Sequence, residues 1–108
     1  MDSRKRIEEL LKPGGELLGI PGRRRGVRVV KGSANEARTL FEELARLGRE
    51  VPVEKPTRGS RPGRVAEIPD LGYVGYREES TSGEPTVDCR VSVEELGKVK
   101  FKFVGYSS

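Results

Sequence analysis

The chain has no histidine, a single cysteine and no apolar run approaching the ~18 residues of a membrane-spanning helix. Each absence removes a class of answers. Without histidine the commonest general acid and base is missing, and so are zinc sites built on imidazole, which one cysteine cannot replace. With Cys89 alone no intrachain disulfide can form, so the fold rests on packing. The place of Cys89 in the apolar phase of a strand marks it as a small buried hydrophobe rather than a nucleophile. The first residues lack the basic, apolar and small-residue pattern of a secretory signal, so neither a signal peptide nor a membrane span is expected. There is no P-loop, nucleotide-binding glycine fingerprint or nucleophile elbow, because the glycines from Gly19 to Gly26 follow no predicted strand. Acidic residues are too scattered to argue for a metal, and no cofactor is expected.

What is present is charge, unevenly spread. The chain is 108 residues long, 35% charged and 33% hydrophobic, with a net charge of +4. That length fits one domain with one modest core. Residues 1–64 hold 16 basic and 9 acidic side chains, whereas residues 65–108 hold 5 and 8. Two stretches contain no acid at all: one carries Arg23, Arg24, Arg25, Arg28 and Lys31, the other Lys55, Arg58, Arg61 and Arg64. Basic runs of this kind attract polyanions by releasing condensed counterions, although solvated loops that aid solubility have the same composition.

Periodicity supplies the elements. Ile7, Leu10 and Leu11 share one face of a helix over Ser3 to Lys12, ended by Pro13, Gly14 and Gly15. The glycine-, proline- and arginine-rich segment that follows reads as a linker and a basic loop. Val27 to Lys31 is a short strand. Ser33 with Glu36 has capping-box spacing, and Ala34, Ala37, Leu40, Phe41, Leu44, Ala45 and Leu47 then repeat as an amphipathic helix. Gly48 is expected to end it in the left-handed conformation. Glu50 to Glu54 is an edge strand at best, because of Pro52. Strands follow at Arg64 to Ile68, Tyr73 to Arg77, Pro85 to Val91 and Lys98 to Val104, too closely spaced for parallel crossovers between them. The predicted class is α+β, with N-terminal helices packed on one face of a small, mainly antiparallel sheet of four to five strands.

The alternation inside these strands carries the functional signal. Side chains alternate across a strand, so Lys98, Lys100 and Lys102 share a face opposite Val99, Phe101 and Phe103. By the same count Thr86, Asp88 and Arg90 oppose Val87, Cys89 and Val91, and Arg77 opposes Val74 and Tyr76. An open face bearing Arg77, Thr86, Asp88, Lys98 and Lys100, with Ser80 and Ser82 in an adjoining loop, suits a phosphate-bearing ligand. Cleavage of RNA by its own 2′-hydroxyl needs little more than cations near the phosphorane oxygens and a group to orient the attacking oxygen. Simpler readings exist for each residue. Asp88 and Arg90 or Arg77 can be plain cross-strand partners, alternating lysines can guard an edge strand, and Tyr73, Tyr76 and Tyr106 can be core or rim aromatics rather than base-stacking platforms.

The segments Gly63 to Asp70, Gly72 to Val91 and Gly97 to Phe101 resemble the C-terminal toxin domains of bacterial polymorphic and contact-dependent inhibition systems. Those domains carry a tyrosine-arginine pair, a serine-glycine turn, a Pro-Thr-Ile-Asp strand and a closing Lys-Ile-Lys-Phe or Lys-Ile-His-Phe. The matching positions are Tyr76 and Arg77, Ser82 and Gly83, Pro85 to Asp88, and Lys98 to Phe101, within a similarity that spans roughly residues 27–103. Lys100 stands where some relatives have histidine. The resemblance implies the barnase, EndoU, colicin and RelE-like ribonuclease fold, with residues 1–22 as an N-terminal helix and linker and residues 23–108 as the ribonuclease-like domain. It further implies a metal-independent endoribonuclease acting on RNA, with transfer RNA the expected target, and monomeric in form. On this view it acts in the cytoplasm of a target cell and is covered by an acidic immunity protein in the producer. Arg77, Ser82, Thr86, Asp88, Lys98 and Lys100 are the expected catalytic set. Arg23, Arg24, Arg25, Arg28, Lys31, Lys55, Arg58, Arg61 and Arg64 are the expected RNA-binding set. The alternatives are a non-catalytic RNA-binding module and a basic protein-interaction domain.

Overall fold

Apolar residues at helical spacing and at alternate strand positions meet in one layer between two helices and a sheet. The computed structural model describes residues 3–52, 63–77, 84–92 and 97–105. Helix α1 spans Ser3–Leu11 and a 3-10 turn follows at Pro13–Gly15. Strands β1 (Ile20–Pro21) and β2 (Val27–Lys31) precede helix α2 (Ala34–Ala45), and β3 (Arg49–Val51), β4 (Arg64–Ile68), β5 (Gly72–Arg77), β6 (Thr86–Val91) and β7 (Lys98–Val104) complete the order. The class is α+β, as the periodicity predicts.

The sheet is larger than four or five strands: among the described residues it has seven, in the order β1-β2-β7-β6-β5-β4-β3. Its extra members are the short edges. β1 is two residues long and contains a proline, so it has no alternation to read. β3 stops just before Pro52 and pairs with β4 as the edge strand that Pro52 permits. β2 runs parallel to β7, the long connection through α2 and the meander supplying the crossover that a parallel pair requires. All other neighbours are antiparallel.

Helix α2 begins as its capping sequence predicts, with the Ser33 hydroxyl accepting from the Glu36 amide at 3.2 Å. It lies against β4, β5 and β6 and buries Ala37, Phe41 and Leu44. Val74, Val87, Cys89, Val91, Val99, Phe101 and Phe103 of the sheet share one buried core with these residues, the set that alternation places on the covered face. Gly48 corrects one expectation, because its φ is not positive. A Cβ there would stand 1.8 Å from the Glu67 carbonyl oxygen, so the glycine admits the close approach of β4.

Ile7 and Leu11 of α1 are fully buried in the same core, and α1 packs on α2. The stretch read as a linker is tied down as well. Arg28 reaches across it, donating to the carbonyl oxygens of Leu17, Leu18 and Gly19 at 3.1, 3.2 and 2.7 Å. Gly22 to Gly26 then forms the tip of a β1–β2 hairpin, closed by the Gly22 amide on the Val27 carbonyl at 2.8 Å. Among the described residues no helix is long and apolar enough to cross a membrane.

Candidate functional site

With both helices on one side, no element of the described residues covers the opposite sheet face, and strand register arranges its side chains in rows. The central row runs Val65, Gly75, Asp88, Lys100, Val27 across β4, β5, β6, β7 and β2. On one side lies Glu67, Tyr73, Arg90, Lys98, and on the other Arg77, Thr86, Lys102, Val29. Rows are two residues apart, hence ~6.8 Å along the strands. A cleft of about 740 Å³ opens over them, bordered by Arg24, Arg25, Arg77, Arg90, Lys98 and Lys100, with Asp88 its acidic residue.

Asp88 sits between two cations. One carboxylate oxygen is 3.8 Å from Lys100 Nζ and the other 3.9 Å from Arg77 Nε, with the aspartate side chain 26% exposed. Both separations exceed hydrogen-bond length, so each cation is held near the carboxylate by charge without being locked to it. Lys100 faces Asp88 directly across the β6–β7 ladder, while Arg77 reaches it diagonally from β5. Beneath them the Cys89 thiol, on the buried face, is pushed up to about 12 by desolvation and secondarily by the Asp88 charge, so it stays protonated and inert.

The expected site residues separate into groups. Arg77, Asp88, Lys98 and Lys100 come together on the open face as predicted. Thr86 shares that face but is only 1% exposed, and its hydroxyl donates to the Glu84 carbonyl oxygen at 3.1 Å. Ser80 and Ser82 lie outside the described residues, as do Lys55, Arg58, Arg61 and Tyr106. Arg23, Arg24 and Arg25 form the exposed tip of the β1–β2 hairpin, and Arg24 and Arg25 overhang the end of the cleft beside Lys98. Lys31 is exposed at the end of β2, next to Val104 of β7.

Arg28 and Arg64 stand elsewhere. Both share strand parity with buried residues, Val30 in one case and Ala66 and Ile68 in the other, so their side chains leave on the helical face. Arg28 is committed to the three carbonyls described above. Arg64 makes two hydrogen bonds to Glu50, at 2.7 and 3.0 Å, and one to Glu42 at 3.3 Å, with its guanidinium carbon 5.0 Å from the Phe41 ring centre. The hydrogen bonds to Glu50 raise the Arg64 pKa and hold the Glu50 carboxyl below its ordinary range.

Two residues that the sequence reading did not assign now belong to the site. Tyr73 is 49% exposed on the open face, its hydroxyl donating to Glu67 at 3.3 Å, whereas Tyr76 is buried against Phe41. Gly75 lies between Tyr73 and Arg77 on the cleft floor. Alternation alone places both on this face, since each is an even number of residues from Arg77. Among the described residues no cluster of three or more cysteine, aspartate or glutamate side chains comes together that could hold a metal ion. Comparison of the chain with protein-family models, with curated proteins and with solved structures finds no match.

Proposed function

We propose that the chain is a metal-independent endoribonuclease module of the kind bacteria deliver as toxins. The observation that carries this reading is the Asp88 carboxylate held between Arg77 and Lys100 on the floor of an otherwise cationic cleft. A cleft lined mostly by positive charge draws in a polyanion, and the three central groups have the complementary roles that cleavage requires. Asp88 accepts the proton of a ribose 2′-hydroxyl as its oxygen bonds to the adjacent phosphorus. Arg77 and Lys100 take the charge developing on the phosphorane oxygens. As the bond from phosphorus to the 5′-oxygen breaks, that oxygen takes a proton from Lys100, leaving a 2′,3′-cyclic phosphate and a 5′-hydroxyl.

Lys98, Arg90, Arg24 and Arg25 hold the flanking backbone, and Ser82 helps to orient the ribose, whereas Thr86, buried with its hydroxyl on the Glu84 carbonyl oxygen, is not available to a ligand. Transfer RNA as target, the cytoplasm of a competing cell as the place of action and an acidic immunity protein as partner extend the proposal from the resemblance of the Tyr76–Phe101 region.

Incubation with total cellular RNA in EDTA tests it. Discrete fragments ending in cyclic phosphate are expected, and replacing Arg77, Asp88 or Lys100 singly is expected to abolish them. Cleavage that survives all three changes overturns the site. RNA bound intact at low salt points to a non-catalytic RNA-binding module, and neither binding nor cleavage points to a protein-interaction domain.

A further inference from the structure

Gly75 is a glycine without a structural reason. Gly19, Gly48, Gly63 and Gly72 each bring a would-be Cβ within 2.4 Å of a backbone oxygen, so a side chain there would collide with main chain. At Gly75 the nearest atoms to such a Cβ are the Arg64 carbonyl oxygen at 3.6 Å and the Asp88 Cβ at 3.9 Å, both ordinary contacts, and its φ is not positive. A glycine inside a strand weakens it, and here both the backbone conformation and the space around a Cβ admit a side chain. The missing side chain leaves a hollow on the cleft floor, directly opposite Asp88.

The walls of that hollow have a defined chemistry. Tyr73 and Arg77 flank Gly75 along β5, two residues away on either side and on the same face. Tyr73 is half exposed, with its hydroxyl on Glu67. A glycine floor marks a close approach by a ligand, and a half-exposed aromatic beside it is a stacking surface that every nucleobase can use.

We propose that Gly75 and Tyr73 form a seat for one unpaired nucleobase, that of the nucleotide whose 2′-hydroxyl faces Asp88. The base lies over the Gly75 backbone and against the Tyr73 ring, which sets its ribose beside the carboxylate. The substrate is therefore an unpaired stretch such as a loop, because a base held in a duplex cannot leave its stack to enter. This seat rests on the ribonuclease reading but is tested apart from it.

The probe is a fluorescent 2′-O-methyl hexanucleotide, which cannot be cleaved, beside the same backbone with abasic sugars. Wild type is expected to bind the base-bearing oligonucleotide about tenfold more tightly than the abasic one, the range of a single stacked base. Gly75→Val and Tyr73→Leu are each expected to erase that preference, bringing affinity for the base-bearing oligonucleotide down to that for the abasic one. Gly75→Val is expected also to keep or raise the thermal midpoint, a combination that a merely structural glycine would not give. Equal affinity of wild type for both probes, or a preference that survives in both variants, overturns the seat and leaves the ribonuclease reading standing. No binding of either probe, together with intact total RNA, overturns both.

Discussion

At the scale of single residues the site turns on Asp88 carrying a negative charge where its neighbours are positive. For a ligand that is only bound, that carboxylate is a liability, since it repels phosphate and partly neutralises Arg77 and Lys100. Asp88→Asn therefore separates binding from chemistry. The amide keeps the shape and loses the charge and the basic oxygen. Affinity for a 2′-O-methyl oligonucleotide is expected to hold or rise several-fold, while cleavage of RNA falls by about 10²- to 10⁴-fold, the usual contribution of a general base. Loss of affinity and activity together would mean that Asp88 only organises the cleft. Cys89 gives an independent test of the layer beneath. Burial raises its folded pKa to about 12, above the roughly 8.5 of an unfolded thiol, so the protonated form stabilises the fold fully below that lower value. The contribution is lost as pH rises between the two, at up to about 1.4 kcal/mol per unit. Urea melts of wild type and Cys89→Ala between pH 8 and 10 are expected to converge as pH rises. Parallel profiles would place the thiol in contact with solvent.

At the scale of elements, β6 and β7 were legible because each alternates cleanly between apolar and polar residues, and β4 and β5 because most of their positions do. The covered set of Val74, Val87, Cys89, Val99, Phe101 and Phe103 follows from parity alone. Legibility ended where charge overrode parity. Arg28 and Arg64 were assigned to RNA with the basic runs they adjoin, yet each is in phase with buried residues of its strand and serves the helical face. β1 and β3 are too short for any period, and the parallel pairing of β2 with β7 is a tertiary choice that no local pattern encodes. Sequence left Tyr73 and Tyr76 equally open to core, rim or stacking roles, which exposure separates, and Gly75 was legible in position but not in meaning, which depends on the space around a missing Cβ.

Arg64 ties these short elements together, since its guanidinium joins β3, β4 and α2 through Glu50, Glu42 and the Phe41 ring. Arg64→Met is expected to cost about 1 kcal/mol near neutral pH, the scale of an exposed ion pair with a cation–π contact. The Glu50 carboxyl is depressed, so its share of that stability is present above the unfolded carboxyl value of about 4.3 and lost as pH falls through the lower folded one. The gap between wild type and variant in urea melts is expected to narrow below that value. An unchanged gap would assign the effect to packing on Phe41 alone.

At the scale of the whole molecule, the sheet sorts charge by face. Arg28 and Arg64 are consumed on the helical side by carbonyls and carboxylates, whereas the open side gathers Arg24, Arg25, Arg77, Arg90, Lys98 and Lys100 around one cleft. A net charge of +4 understates the field a ligand meets there. The division predicts which cations contribute to RNA affinity. Binding of a single strand releases counterions in proportion to the phosphates neutralised, so log K falls with log salt at about 0.7 per contact. Lys98→Met, at the exposed cleft edge, is expected to weaken binding of a 2′-O-methyl oligonucleotide and to flatten that slope by about 0.7. Arg28→Met, on the other face, is expected to lower the thermal midpoint and leave the slope as it was. Fluorescence anisotropy across a salt series reads both variants. An equal change of slope in the two would mean that affinity follows net charge alone, whereas a change confined to Lys98 assigns it to the open face.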